Sequence, residues 1–414
     1  MNQIAQLTEH SFRHEYGRLV AALTRNLGIR QLDEVEDAVQ SALMKAMNAW
    51  ARHGMPTDPA GWLYRTARNE LVDRLRRANT WKNIHQELSQ QNVATSEDAI
   101  IWSEPLEDDQ LRMLFVCCHP SLGVEAQITF ALKTLCGFNA GEIAHAFLTS
   151  EATIHKRLTR AKETLREEAL DPNDLTETAI QERLASVQTI LYLLFNEGYN
   201  SHHPDDFIRI DLCEEAVRLT QLLIQNPSTS SPDTMALFAL MLFHAGRLQA
   251  RVNEAGGLVL LDEQDRDEWD WSLIKTGFSW LERSSVGEVI TKYHIEAAIA
   301  AEHCQALSFD QTNWKRIDEL YELLYRMEPT AIHALNRSIA LAYLHSPQAG
   351  ITWLNKLHSK DAPPGYHHWP AVLGELHRRQ GELAKARGYF EQALAMSPPL
   401  AERQYLEMRR EQCI

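Results

Sequence analysis

Apolar residues recur at three- and four-residue spacings along nearly the whole chain, and no convincing two-residue alternation replaces them anywhere. That periodicity restricts the fold class to all-α, with each helix burying one stripe against another helix. At 414 residues the chain is too long for one ordinary core, so its helices must divide among about two to four domains. The composition, 44% hydrophobic and 23% charged, is globular, so polar stretches read as linkers rather than as general disorder. No apolar run approaches the roughly 20 residues that span a bilayer. The segment MNQIAQLTEHSFRHEY has neither the basic start nor the apolar core of a secretory signal. A cytoplasmic location without a membrane partner is therefore expected.

Breaks in the periodicity divide the chain. Residues 1–80 hold amphipathic segments interrupted at Gly54 and at Pro56 to Pro59. Residues 81–106 are polar and poorly periodic, which suits a linker. A second helical block covers 107–170 and stops at Asp171-Pro172-Asn173-Asp174. The remainder, 175–414, is a long helical series broken at Asn226–Pro232, at Pro347 and at Asp361–Pro370. Near its end Leu373-Gly374, His377, Gly381, Ala386, Phe390, Ala393 and Pro398 fall on tetratricopeptide (TPR) spacing, with Trp369 one place from the usual aromatic. Small residues there allow two helices to approach, and Phe390 fills the remaining gap. Tyr321, Leu324 and Pro329 fit the second half of a similar unit, and Ala340 and Tyr343 the first half of the next. A generic array of helical hairpins is the alternative.

Two short basic stretches carry the chemistry. The net charge of −15 argues against nucleic acid as a partner until its distribution is read. Residues 1–170 hold 19 basic and 22 acidic side chains, whereas the rest holds 22 and 34. In the first stretch, Asp58 to Arg77, a proline opens a helix and Leu63, Ala67, Leu71 and Leu75 form its buried stripe. Arg65, Arg68, Arg76 and Arg77 fall largely on other faces, with Trp62 and Tyr64 at the entry. Arginines neutralise phosphates and aromatic rings stack on unpaired bases, which suits a grip on separated strands. The bland alternative is a solvated basic face over core aromatics. In the second stretch, Phe138 to Lys162, Ile143, Ala144, Phe147, Ile154 and Leu158 take the inward positions of a helix-turn-helix. Ser150 is the expected N-cap. Its second helix would present Glu151, Ala152, Thr153, His155 and Lys156 to a major groove, with Arg157, Arg160 and Lys162 nearer phosphates. Leu148 stands where the turn usually has glycine, and a plain helical hairpin is the competing reading.

In this order, and with a linker between them, the two stretches resemble the sigma-70 superfamily, specifically its extracytoplasmic-function (ECF) sigma factors. The segment Glu36 to Trp50 is similar to their polymerase-binding helix. The resemblance implies docking on core RNA polymerase, through the β′ coiled coil and the β flap, with Asp37, Gln40 and Lys45 placed around an apolar Ala38/Leu43/Ala46 set. It further implies that Gly61–Arg77 reads the −10 element of promoter DNA, Asn69 helping to form a pocket for a flipped base and Arg52–Ala60 serving as the specificity loop. Residues 150–160 would be the −35 recognition helix. Phe115–Leu122, Leu194–Tyr199, Leu261–Arg266 and the terminal repeat resemble the subgroup with a fused TPR-like extension. That likeness implies a C-terminal regulatory domain with a protein or small-molecule ligand.

Other chemistry is weak. Cys117-Cys118-His119 reads as packing, since adjacent helical side chains diverge by about 100° and no second ligand pair is suitably spaced. Asp262–Glu268 lacks the glycine and spacing of a calcium loop and reads as a capped, solvated turn. His202-His203 and His367-His368, beside prolines, read as exposed loops, with a nickel or zinc site as the minor alternative. No nucleophile elbow, phosphate loop or HExxH is present, so no cofactor, metal or enzymatic activity is expected. Competing functions are a helix-turn-helix regulator with a sensing repeat domain, and a repeat scaffold with a vestigial front part.

Overall fold

The computed structural model describes residues 2–77, 105–147, 149–168, 175–200, 208–253, 258–357, 366–398 and 400–413. Side chains at 2–14, 76–77, 105–108, 145–146 and 401 also fall outside the described set. The expected linker up to residue 104, Leu148, the stop signal at Asp171–Asp174 and the His202-His203 pair lie outside the described residues. Among the described residues the fold is all-α. Its helices are α1 (Asn2–Leu27), α2 (Leu32–His53), α3 (Pro59–Arg77), α4 (Pro105–Cys117), α5 (Val124–Thr134), α6 (Ala140–Ala146), α7 (Glu151–Glu167), α8 (Glu177–Tyr199) and α9 (Ile210–Gln225). They continue as α10 (Pro232–Ala245), α11 (Trp271–Ser284), α12 (Lys292–Gln305), α13 (Trp314–Met327), α14 (Ala331–Leu344), α15 (Pro347–Lys356), α16 (His368–Arg379), α17 (Leu383–Ala395) and α18 (Leu400–Glu411). A single isolated bridge, Val252 to Leu258, is the extended pairing found among them. None of these helices is long and apolar enough to cross a membrane.

Two compact units divide the chain. The first takes in 1–194 and 214–229, the second 195–213 and 230–414. The boundary expected near residue 175 therefore does not coincide with the division. The physical reason lies in buried contacts that α8 and α9 make within the first unit. Arg183 of α8 donates to the Phe115 carbonyl at 3.0 Å, and Arg218 of α9 donates to the Gln110 side-chain oxygen at 2.5 Å. Each ties a helix beyond 175 to α4.

Within the first unit, α2 and α3 pair closely, α1 packs on α4, and α5 packs on α7. Leu63, Ala67, Leu71 and Leu75 are all buried, as their four-residue spacing predicts. Leu19, Val35, Val39, Phe115, Phe130 and Phe138 fill the interior around them. Gly17 of α1 lies so close to the Leu135 carbonyl that a Cβ there would stand 1.8 Å from the oxygen. Only glycine fits that crossing without a backbone shift.

The second unit is built from near neighbours in sequence. From α12 onward each helix packs on the next, the pattern of a quasi-one-dimensional array. Three successive apolar clusters mark its layers. Ile295, Ile299, Ile317, Leu320, Leu324 and Ala340 form one. Leu335, Ile351, Leu354, Trp369, Leu373 and Leu376 form the next. Ala386, Phe390, Ala393, Leu406 and Cys413 close the series. The α16–α17 hairpin turns at Gly381, whose φ is +83°. A Cβ on Gly374 would approach the Phe390 ring to 2.8 Å, so the small residue and the aromatic are complementary. The Asp262–Glu268 stretch forms capped turns. Asp265 caps its own short helix, and Arg266 donates to the His303 and Ala306 carbonyls at 2.9 and 2.8 Å, closing the end of α12.

All six cysteines are buried and unbridged. Burial pushes the Cys117 and Cys118 thiols well above their ordinary value, which keeps them as packing groups.

The crowding at Gly374 yields a paired test. Gly374→Ala should destabilise the second unit by about 1–3 kcal/mol through overpacking. Gly388→Ala, where an added Cβ meets nothing within 4 Å, should instead stabilise α17 by roughly 0.5–1 kcal/mol. Denaturant midpoints of the two variants should move in opposite directions.

Candidate nucleic-acid interface

The α3 face is built by ordinary helix chemistry. Asp58 precedes Pro59, and its carboxylate accepts from the Gly61 amide at 2.9 Å, capping the first turn. The buried stripe turns Arg65, Arg68 and Asn69 outward, and all three are exposed. Spaced three and four apart, they share one face. Trp62 and Tyr64 are half-buried at its N-terminal end. The Trp62 ring meets Trp50 edge-on at 5.7 Å, which braces it while leaving part of its surface open. Burial raises the Tyr64 pKa, although the nearby Arg68 charge opposes it. The Arg76 and Arg77 side chains lie outside the described residues.

Next to this face, α2 differs in detail from its sequence reading. Asp37, Gln40 and Lys45 are exposed and Leu43 is half-buried. Ala38 and Ala46 are fully buried, so they cannot supply an apolar docking surface. The stripe that contains them is spent on the contact with α3. Met44 and Met47, 60% and 57% exposed, are the apolar groups that α2 presents instead. Asp37 and Lys45 are also engaged across the pair, Asp37 with Arg74 at 3.0 Å and Lys45 with Glu70. Exposed pairs of this kind contribute about 0–1 kcal/mol and yield readily to a partner.

The helices α6 and α7 are both capped. Asn139 and Glu142 form a reciprocal box: the Asn139 side chain accepts from the Glu142 amide at 2.9 Å, and the Asn139 amide donates to the Glu142 carboxylate at 2.7 Å. Ser150 accepts from the Thr153 amide at 3.3 Å and starts α7. Ile143, Ala144, Ile154 and Leu158 are buried and Phe147 is half-buried. Glu151, Ala152, His155, Lys156 and Arg160 are exposed, while Thr153 is half-buried behind the cap.

Two cations assigned to phosphates from sequence are used inside the first unit. Arg157 pairs with Glu125 of α5 and lies 5.9 Å from the Phe147 ring. Lys162 reaches back to α2, donating to Asp33 at 2.7 Å and to Glu36 at 2.5 Å. Arg166 joins it on Asp33, and Thr134 donates to Glu36 at 3.4 Å. Sequence reading missed this cluster. Its partners are some 130 positions apart, and the only local signal was an acidic residue, Glu36, on the inward side of an amphipathic helix. A cleft of about 580 Å³ opens beside it, bordered by Asp33, Lys133, His155 and Lys162.

The family comparisons fall on this geometry. Sigma-70 region 2 matches residues 12–81, the span of α1 to α3. The N-terminal part of the chain is thus a sigma-70 region 2 domain. A region 2 domain implies binding to core RNA polymerase and promoter DNA, and it carries the exposed α3 face described above. A family of unknown function, DUF6596, matches residues 183–285. An uncharacterized protein of Rhizobium meliloti (strain 1021) is 35% identical over 401 residues, covering 94% of each chain, so the two belong to one family along almost their whole length. No solved structure matches the chain.

The Asp33–Glu36–Lys162–Arg166 cluster holds the sigma-70 region 2 helices to α7, and its protonation sets when it holds. Burial raises the Asp33 pKa, but the hydrogen bonds and charges of Lys162 and Arg166 outweigh that and leave it below the ordinary 3.8. Burial lowers the Lys162 pKa, but Glu36 and Asp33 more than reverse this and leave it above 10.5. The Asp33 contribution is full above its unfolded value and fades as pH falls through the lower folded value. That of Lys162 is full below 10.5 and fades as pH rises through the higher folded value. The bridge is therefore intact across the neutral range.

Removing Lys162 takes the cation away from the buried Glu36. Lys162→Met should cost on the order of 3 kcal/mol, and adding Glu36→Gln should recover part of that loss. Denaturant unfolding of both variants at neutral pH measures the difference. A double variant no more stable than the single would contradict the coupling.

Proposed function

We propose that the chain is an RNA polymerase sigma factor of the ECF type, with residues 1–80 as region 2, residues 107–170 as region 4 and a regulatory TPR-like extension behind them. In this reading Asp37, Gln40, Leu43 and Lys45, with the exposed Met44 and Met47, dock on core polymerase. Trp62, Tyr64, Arg65, Arg68 and Asn69, continued by Arg76 and Arg77, capture the opened −10 strand. Ser150, Glu151, Thr153, His155, Lys156 and Arg160 address the −35 duplex, while Arg157 positions α7 through Glu125.

The observation that carries this reading is the exposed Arg65–Arg68–Asn69 face beside half-buried Trp62 and Tyr64, inside the segment that matches sigma-70 region 2. Cations there can neutralise phosphates, and braced aromatic rings can stack on an extruded base. The capped helix-turn-helix in the same compact unit supports a second contact, to duplex DNA. Charge supports the regulatory role of the rear, whose acidic excess complements basic surfaces on the front modules and on a nucleic-acid machine.

Run-off transcription with purified core enzyme and the full chain tests the proposal. Promoter-dependent product should appear, and Arg68→Ala or Asn69→Ala should reduce open-complex formation by about 5- to 100-fold, the range of a lost base or phosphate contact. Arg160→Ala should weaken duplex binding at all sequences and lower its salt dependence. Absence of product on any cognate template, with demonstrably active core, would overturn it.

A further inference from the structure

The histidine pair at 367–368 departs from its sequence reading. Rather than sitting on an exposed loop, His367 precedes α16 as its N-terminal flanking residue and His368 is the first residue of that helix. Their rings lie 4.1 Å apart between centroids. Both turn toward one carboxylate, that of Glu402 in the first turn of α18. His367 Nε2 contacts Glu402 Oε2, while His368 Nε2 stands 3.9 Å from Glu402 Oε1. One ligand atom from each residue lies within 4.8 Å of the other two. The side chains of His367 and Glu402 are 14% and 19% exposed, whereas His368 is 44% exposed.

We propose that His367, His368 and Glu402 form a three-ligand site for a divalent transition metal of the zinc type, fastening the last helix, α18, to α16. His367 contacts one oxygen of the carboxylate, and His368 faces the other. The 3.9 Å separation is too long for a hydrogen bond, yet it is close to the distance between two ligands that share one ion. Bonds of about 2.0–2.1 Å in a tetrahedral site put neighbouring ligand atoms roughly 3.3–3.5 Å apart. Small side-chain rotations close the set, and the Glu402 carboxylate then exchanges its contact with His367 for one with the metal. Two imidazole nitrogens and one carboxylate oxygen suit zinc, and also cobalt or nickel, but not calcium or magnesium, which take oxygen. The exposed side at His368 leaves a fourth position for water.

The ligands come from segments 35 positions apart, so binding couples directly to the packing of α18. Metal affinity then adds to the stability of the array's end. The site does not depend on how the front modules act.

The test uses the untagged full-length protein, freed of metal with a chelator and dialysed. Titration with Co2+ should give the visible bands of a low-coordinate nitrogen–oxygen site, saturating at one ion per chain, and Zn2+ should displace it. His367→Ala, His368→Ala and Glu402→Gln should each weaken binding by about 10-fold or more. Glu402→Gln preserves shape and a hydrogen-bond acceptor for His367, so it separates lost coordination from lost folding. Hydrogen exchange across 400–412 should slow on adding Zn2+ in the parent protein and not in that variant. No saturable binding at micromolar metal, or binding unaffected by all three substitutions, would overturn the proposal.

Discussion

A carboxylate placed where a helix should be apolar organises the front of this molecule. Glu36 is buried on α2, and an isolated charge there would carry a desolvation cost of several kcal/mol. Lys162 offsets it from α7, while Arg166 and Asp33 complete the set. Because the partners stand on α2 and α7, the offset exists only when the region 2 helices and α7 lie together. The Gly17 crossing adds a steric condition of the same kind, since the α1 backbone can approach Leu135 only without a side chain. One buried charge and one missing Cβ thus couple two modules that each have a sequence signature of their own.

This coupling also sorts the cations of α7 by task. Residues on its inner side, Arg157 and Lys162, are consumed by Glu125, Asp33 and Glu36. His155, Lys156 and Arg160 remain exposed, His155 beside Lys162 at the cleft and the other two farther round the helix. A count of positive residues along the helix cannot make that distinction, whereas burial and partner geometry can. The same holds on α2, where the alanines that read as a contact surface are interior while Met44 and Met47 are exposed.

Periodicity made the helices legible, and local capping made several of their ends legible. Leu63, Ala67, Leu71 and Leu75 are buried because a four-residue spacing leaves them no other common face. Ser150 caps α7 because its hydroxyl can accept an orphan amide, which is a property of four consecutive residues. Gly374 and Phe390 met as their repeat spacing implied. Long-range pairings were not legible. Glu36 with Lys162, Arg183 with the Phe115 carbonyl and His367 with Glu402 join residues whose proximity depends on the packing of several helices. That is also why the unit boundary could not be placed at 175: α8 and α9 carry ordinary amphipathic patterns, and contacts of Arg183, Glu215 and Arg218 tie them to α4.

The acidic total is compatible with a DNA-reading surface because potential is local. At physiological ionic strength charges more than about 8–10 Å apart are largely screened when exposed. A phosphate at α3 therefore responds to Arg65, Arg68 and their near neighbours rather than to the sum of −15. Within the first unit several acidic groups are themselves engaged: Asp37 with Arg74, Glu70 with Lys45, Asp33 and Glu36 with Lys162, and Asp58 with Arg65 on the α3 face itself. Pairing removes much of their opposing field at the reading faces. An acidic protein can in this way present two cationic surfaces, provided that its carboxylates are spent on holding those surfaces in place.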